Sequence, residues 1–172
     1  MQLDRRATRP IHDLVLGPLD YLLVVPGMAF GSYAMPFMLG GIGLWLGWRV
    51  AALGVAAAIT TVAITDPLKH WLARERPLPL GKPRRVRIRN LVKNPAFPSG
   101  DSAQAGMVAL LLVFNGPFDD WRRWLFLLLA PLCMFARIYF GAHWIGDTLA
   151  GVIIGAAVML AFQSLFGGFV AA

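Results

Sequence analysis

A chain of 172 residues that is 58% hydrophobic, only 15% charged and has a mean hydropathy of +0.62 does not suit a soluble globular domain, where about a quarter of residues are charged. Its apolar residues come in long uncharged runs, so it reads as an integral membrane protein of one domain, residues 1–172, with no room for a soluble module. The net charge of +7 is clustered, and no aromatic–basic strip on a soluble fold accompanies it, so nucleic acid is not an expected partner.

Residues 1–9 are polar and basic, with Arg5, Arg6 and Arg9, and lead to no small-residue cleavage site; no removable signal peptide is expected. Residues 10–19 are mixed and suit an amphipathic helix along the interface. Residues 21–48 carry no charge until Arg49 and read as one tilted span, kinked near Pro26 and Gly27. A second span, residues 50–65, runs on through Asp66 and Pro67 to Trp71. Residues 73–98 form a basic loop with Arg74, Arg76, Lys82, Arg84, Arg85, Arg87, Arg89 and Lys93, in which Pro77, Pro79 and Pro83 oppose helix. A third span opens at Pro98 and ends near Phe118, a fourth covers 124–140 and a fifth 144–169, whose Gly151, Gly155, Ala156 and Ala157 permit close helix packing. Cys133 is the only cysteine; it lies in an apolar run and is expected to be a small core residue. The expected fold is an all-α polytopic bundle of about five to six transmembrane helices.

Counting crossings puts three polar clusters on one side of the membrane. In the first, Lys69 and Arg76 are seven apart and share a face if the helix continues to Pro77. Two such cations can clamp a phosphate; they also fit a positive-inside stop signal with snorkelling side chains. Arg74 and the arginines at 84–89 read as solvated or headgroup-facing charges. In the second cluster, Pro98-Ser99-Gly100-Asp101-Ser102, a helix starts. Its free N–H groups and dipole favour an anion, and Gly100 lets that anion approach; ordinary capping by Ser99 or Asp101 is the plainer alternative. In the third, His143 and Asp147 are four apart, with Arg137 before them and Gly141 as a break. A carboxylate that accepts from one imidazole nitrogen leaves the other free as a nucleophile. Together the clusters offer cations and backbone donors for phosphoryl oxygens and an oriented imidazole to attack phosphorus.

Lys69-x6-Arg76-Pro77, Pro98-Ser99-Gly100 and Arg137-x5-His143-x3-Asp147, in that order, resemble the motifs of the type 2 phosphatidic acid phosphatase (PAP2) superfamily, over about residues 50–165. The resemblance implies a membrane lipid phosphatase with His143 as nucleophile and Asp147 as its partner. Lys69, Arg76, Arg137, Ser99 and the Gly100 backbone would hold the phosphate. It also implies no metal or other cofactor, and the sequence shows no metal-ligand cluster. Two positions depart from the family pattern. Ala136 stands where a serine is usual. Asp101 stands where the family has the histidine that protonates the leaving group. A carboxylic acid titrates near 3.9, and neighbouring cations favour its ionised form, so it is a poor proton donor at neutral pH. A phosphate leaving group needs that proton far less than an alcohol does. A lipid diphosphate such as a polyprenyl diphosphate is therefore expected as substrate in preference to a phosphatidic acid-type monoester. The alternative is a catalytically weak or inactive lipid-phosphate binding protein. The basic residues gather on the site side, which the positive-inside rule assigns to the cytoplasmic face of a bacterial inner membrane.

Overall fold

The computed structural model describes residues 2–77, 85–86 and 94–171, and among these every regular element is helical. The order is α1 (Gln2–Asp13), a short 3-10 turn (Gly17–Leu19), α2 (Asp20–Met28), α3 (Met35–Leu46), α4 (Trp48–Leu72), α5 (Gly100–Asn115), a 3-10 segment (Trp121–Leu128) that runs into α6 (Leu129–Tyr139), and α7 (Ile145–Ala171). The chain forms a membrane helix bundle. Among the described residues two helices, Trp48–Leu72 and Ile145–Val170, are each long and apolar enough to cross a bilayer alone.

The centre of the bundle is α5, which packs most extensively on α7 and also on α4 and α6. Met107 and Leu111 of α5, Cys133 of α6 and Met159 of α7 are completely buried there. Small residues let the backbones approach: a methyl group at Gly155 would fall 1.8 Å from the Ala103 carbonyl oxygen, and one at Gly151 would fall 2.3 Å from that of Ser99. The crossing at Gly151 seats the start of α5 against the first turns of α7, where the site is built. Gln104 Nε2 donates to the Ala58 carbonyl at 3.0 Å, tying α5 to α4 within the apolar core. Large apolar side chains such as Phe37, Leu44, Ile59, Ile153 and Leu165 face outward, as a lipid-facing surface requires.

Two expectations need correction. Residues 21–48 are not one continuous helix. The run breaks between α2 and α3: Pro26 and Gly27 lie in the last turn of α2, Gly31 lies in the break, and Pro36 lies at the start of α3, where its missing N–H does no harm. Gly31 lies at the break itself, and a side chain there would meet Asp101 Oδ1 at 3.5 Å. The break thus brings backbone to the site. Secondly, the N-terminal helix begins at Gln2 rather than Pro10, and its axis turns by 112° into the segment Gly17–Met28. It crosses the site end of the bundle and touches α6 and α7.

Candidate active site

α6 ends because Gly141 adopts φ +69°, a left-handed conformation that glycine takes without a Cβ penalty. The Gly141 and Ala142 N–H groups return to the Ile138 and Arg137 carbonyls at 2.8 and 3.0 Å. The loop then delivers His143, 2% exposed, just before α7 begins. His143 Nδ1 lies 2.8 Å from the Ala96 carbonyl oxygen. A carbonyl only accepts, so Nδ1 carries the proton and Nε2 presents its lone pair. Arg76 Nη1 donates to that Nε2 at 3.1 Å and to the Ala142 carbonyl at 2.6 Å.

The expected His143–Asp147 hydrogen bond is not the one observed. Asp147 Oδ2 is 3.8 Å from Nδ1 and instead accepts the Trp144 N–H at 2.9 Å, while Oδ1 accepts from Arg74 Nη1 at 2.6 Å. The spacing of four does place both groups side by side, but the loop carbonyl of Ala96 is closer to the ring and accepts the Nδ1–H hydrogen bond. Asp147 is a fully buried brace beside the imidazole.

Arg76 does not reach the site along a helix face. α4 stops at Leu72, and Ala73 at φ +42° turns the chain out of the helix. A left-handed non-glycine residue is a strained position, held here by the contacts of the arginines that follow. Arg76 Nε and Nη2 are anchored on the Asn94 and Pro95 carbonyls at 2.6 and 3.2 Å, which ties the two ends of the basic loop together. Arg74 was expected to face solvent or lipid headgroups; it lies instead in a partly buried ion pair with Asp147 and Asp4. Lys82, Arg84, Arg87, Arg89 and Lys93 of the same loop lie outside the described residues. Arg85 donates its backbone N–H to Asp20 Oδ2 at 2.8 Å.

At the start of α5, Ser99 is the N-cap. Its Oγ accepts the Ser102 N–H at 3.3 Å, and its own N–H donates to the Asp147 carbonyl at 2.9 Å. Lys69 reaches over this helix start from α4: a Cβ on Gly100 would sit only 3.1 Å from its Nζ. Arg137, 5% exposed, donates through Nη2 to Asp101 Oδ2 at 2.6 Å and through Nη1 to the Gly27 carbonyl at 3.0 Å. Its Nε is buried with no hydrogen-bond partner among the described residues. Lys69, Arg76 and Arg137 all act electrostatically on His143, and Asp101 and Ser99 of the second cluster bond to Arg137 and the Asp147 carbonyl, so the three sequence clusters meet in one place. Among the described residues, no group of three or more His, Cys, Asp or Glu side chains is arranged to hold a metal ion.

Burial and then the charges of Arg137, Arg76 and Lys69 hold the His143 imidazole well below its ordinary pKa of 6.5, against the opposing pull of the Ala96 carbonyl. The folded protein therefore keeps the ring neutral at neutral pH. Protonation is linked to a loss of stability that begins as pH falls below 6.5, because the unfolded chain then binds a proton the folded one refuses. The imidazole resonance of His143, identified by its loss in His143→Ala, is expected to titrate clearly below pH 6.5 in detergent. A midpoint at or above that value would contradict this environment.

Sequence reasoning missed several contributors: the Ala96 and Gly27 carbonyls, Arg74 with Asp4, and Tyr139, whose hydroxyl donates to the buried Asp20 carboxylate and accepts the Leu16 N–H at 3.0 Å. Asp20 was the one of these with a visible signal, a carboxylate at the mouth of an apolar run.

A family profile described as the PAP2 superfamily matches residues 42–169. Two solved structures share the fold. LpxE of Aquifex aeolicus superposes with a TM-score of 0.76 at 21% identity, over 94% of this chain and 95% of that one. A transmembrane PAP2-type phosphatidylglycerolphosphate phosphatase from Bacillus subtilis superposes with a TM-score of 0.77 at 19% identity, over 97% and 86%. A search of curated proteins by sequence finds no match. With the profile spanning all three clusters, from Lys69 to Asp147, the chain belongs to the PAP2 superfamily.

Proposed function

We propose that the protein is a membrane lipid phosphatase that releases phosphate from a lipid phosphate or diphosphate through a phosphohistidine on His143. The observation that carries this is a buried neutral imidazole whose Nε2 lone pair faces a guanidinium, with Lys69 and Arg137 close enough to act on the same ring. Arg76 Nη1 occupies the approach to Nε2 and would pass to a phosphoryl oxygen when phosphorus arrives. The Nε of Arg137, without a hydrogen-bond partner among the described residues, and the N–H groups at the very start of α5 are further donors for those oxygens. Nε2 attacks phosphorus, the bond to the leaving oxygen breaks with its electron pair, and water then attacks the phosphohistidine.

The reading favours a diphosphate over a monoester, because Asp101 is tied to Arg137 as its ionic partner. A carboxylate held by a guanidinium is a poor proton donor for an alcohol leaving group. The same contact supports a second reading, a protein that binds lipid phosphates without turnover, since Asp101 already occupies part of Arg137. Phosphate release from a panel of lipid mono- and diphosphates in detergent, with EDTA and with His143→Ala, separates the two. Release that survives EDTA and vanishes in the variant supports the enzyme. Saturable lipid-phosphate binding with no release supports the binding protein.

The excess of Lys and Arg at the site end supports a cytoplasmic-facing site in a bacterial inner membrane. A cysteine at Lys82 is then expected to react with a membrane-impermeant reagent only after cells are opened, with little background because Cys133 is buried. Labelling in intact cells would reverse the orientation.

A further inference from the structure

The residue before α7 is Trp144, whose own N–H is taken by Asp147 Oδ2, and the first two N–H groups of the helix are satisfied from the other end of the chain. Ile145 N–H donates to Thr8 Oγ1 at 3.2 Å and Gly146 N–H to Asp4 Oδ1 at 3.0 Å. Thr8 is completely buried, although α1 is otherwise a polar helix. Gly146 makes room for this contact, since a Cβ there would fall 2.9 Å from Asp4 Oδ2. That same Oδ2 accepts from Arg74 Nη2 at 2.5 Å, and Arg74 Nη1 donates to Asp147 Oδ1 at 2.6 Å. One guanidinium is thus shared by two carboxylates, one from the N-terminal helix and one beside the imidazole.

We propose that Asp4 of α1 is a positioning residue for the reaction: through Arg74 and Asp147 it fixes the His143 loop and keeps a net negative charge behind the ring. This rests on the phosphohistidine reading above. When Nε2 attacks phosphorus and the leaving oxygen departs with its electron pair, the ring still holds the Nδ1 proton and becomes cationic. Three cations already surround it. Asp147, 3.8 Å from Nδ1, is the carboxylate placed to offset that charge, but its pairing with Arg74 cancels it. Asp4 adds the second negative charge, so the three groups together carry −1 rather than zero. The N-terminal helix is then part of the working site and not only a membrane-surface anchor.

The test compares Asp4→Asn, Asp4→Glu and Thr8→Val in the full-length protein in detergent, with a substrate that the wild type hydrolyses. Asp4→Asn keeps the shape and an acceptor for Gly146 but loses the charge. It is expected to lower kcat about tenfold, the size of effect that one unit charge exerts across a partly buried site. KM and the affinity for inorganic phosphate should stay within about twofold of wild type. Asp4→Glu should recover part of kcat. Thr8→Val, which removes a tie but no charge, should lower the unfolding temperature more than kcat. Wild-type kcat in Asp4→Asn, or a fall in kcat no larger than that of Thr8→Val at an equal loss of thermal stability, would overturn the proposal. Those results are distinct from failure of the hydrolase reading, which would appear as no phosphate release by the wild type itself and would remove this inference with it.

Discussion

Replacing His143 with alanine is expected to reduce phosphate release by at least about a thousandfold, with little loss of lipid-phosphate binding. A covalent route cannot proceed without its nucleophile, and the surrounding cations by themselves only hold and polarise the substrate. Lys69, Arg76 and Arg137 remain in the variant, and Arg76 keeps its anchors on the Asn94 and Pro95 carbonyls. Binding should therefore persist while turnover is lost. Phosphate release assayed beside equilibrium binding of the same lipid distinguishes this from general unfolding. A variant that binds normally and retains more than about a tenth of the wild-type rate would remove His143 from the chemistry.

The second large effect concerns Asp101. The wild type is expected to hydrolyse a lipid diphosphate well and the matching monophosphate poorly. Asp101→His should raise monoester hydrolysis by about a hundredfold, the lower end of what a positioned general acid contributes, and change diphosphate hydrolysis far less. The reason lies in the leaving group. An alkoxide is a strong base and must be protonated as it departs, whereas a phosphate leaves as a stable anion. Asp101 sits at the start of α5, 2.6 Å from Arg137 and close to Gly31, so it lies among the groups proposed to hold the phosphate. Its Oδ2 is engaged as the acceptor of the Arg137 ion pair. Side-by-side rates for both substrates in both proteins are the measurement. Monoester preference in the wild type, or an unchanged ratio in Asp101→His, would contradict this account of the substitution.

The meeting of the three clusters was legible because it depends on gross features of the sequence: long apolar runs, a basic loop, and polar residues at the ends of consecutive spans. The cap at Ser99 and the break at Gly141 were legible for local reasons, since each residue type has a conformational role at a helix end. What stayed hidden was carried by backbone or by distance. The Ala96 and Gly27 carbonyls have no side-chain signature, yet one sets the tautomer of His143 and the other holds Arg137. Arg74 and Arg76 are two apart and look alike, but the left-handed turn at Ala73 sends them to different partners, and no glycine announces that turn. The pairing of Asp4 with Arg74 and Gly146 joins positions far apart in the chain, and a single sequence carries no trace of it.

The central claim is that one phosphoryl group, held by cations from α4, its trailing segment and α6, is transferred to His143. Acid-labile, alkali-stable phosphate trapped on the protein during turnover, then located by mass spectrometry, tests this most directly. The expected result is a single phosphorylated position, His143, formed at a rate no slower than overall turnover and absent from His143→Ala. Phosphate on a different residue, or steady turnover with no protein-bound phosphate at any quench time, would contradict it.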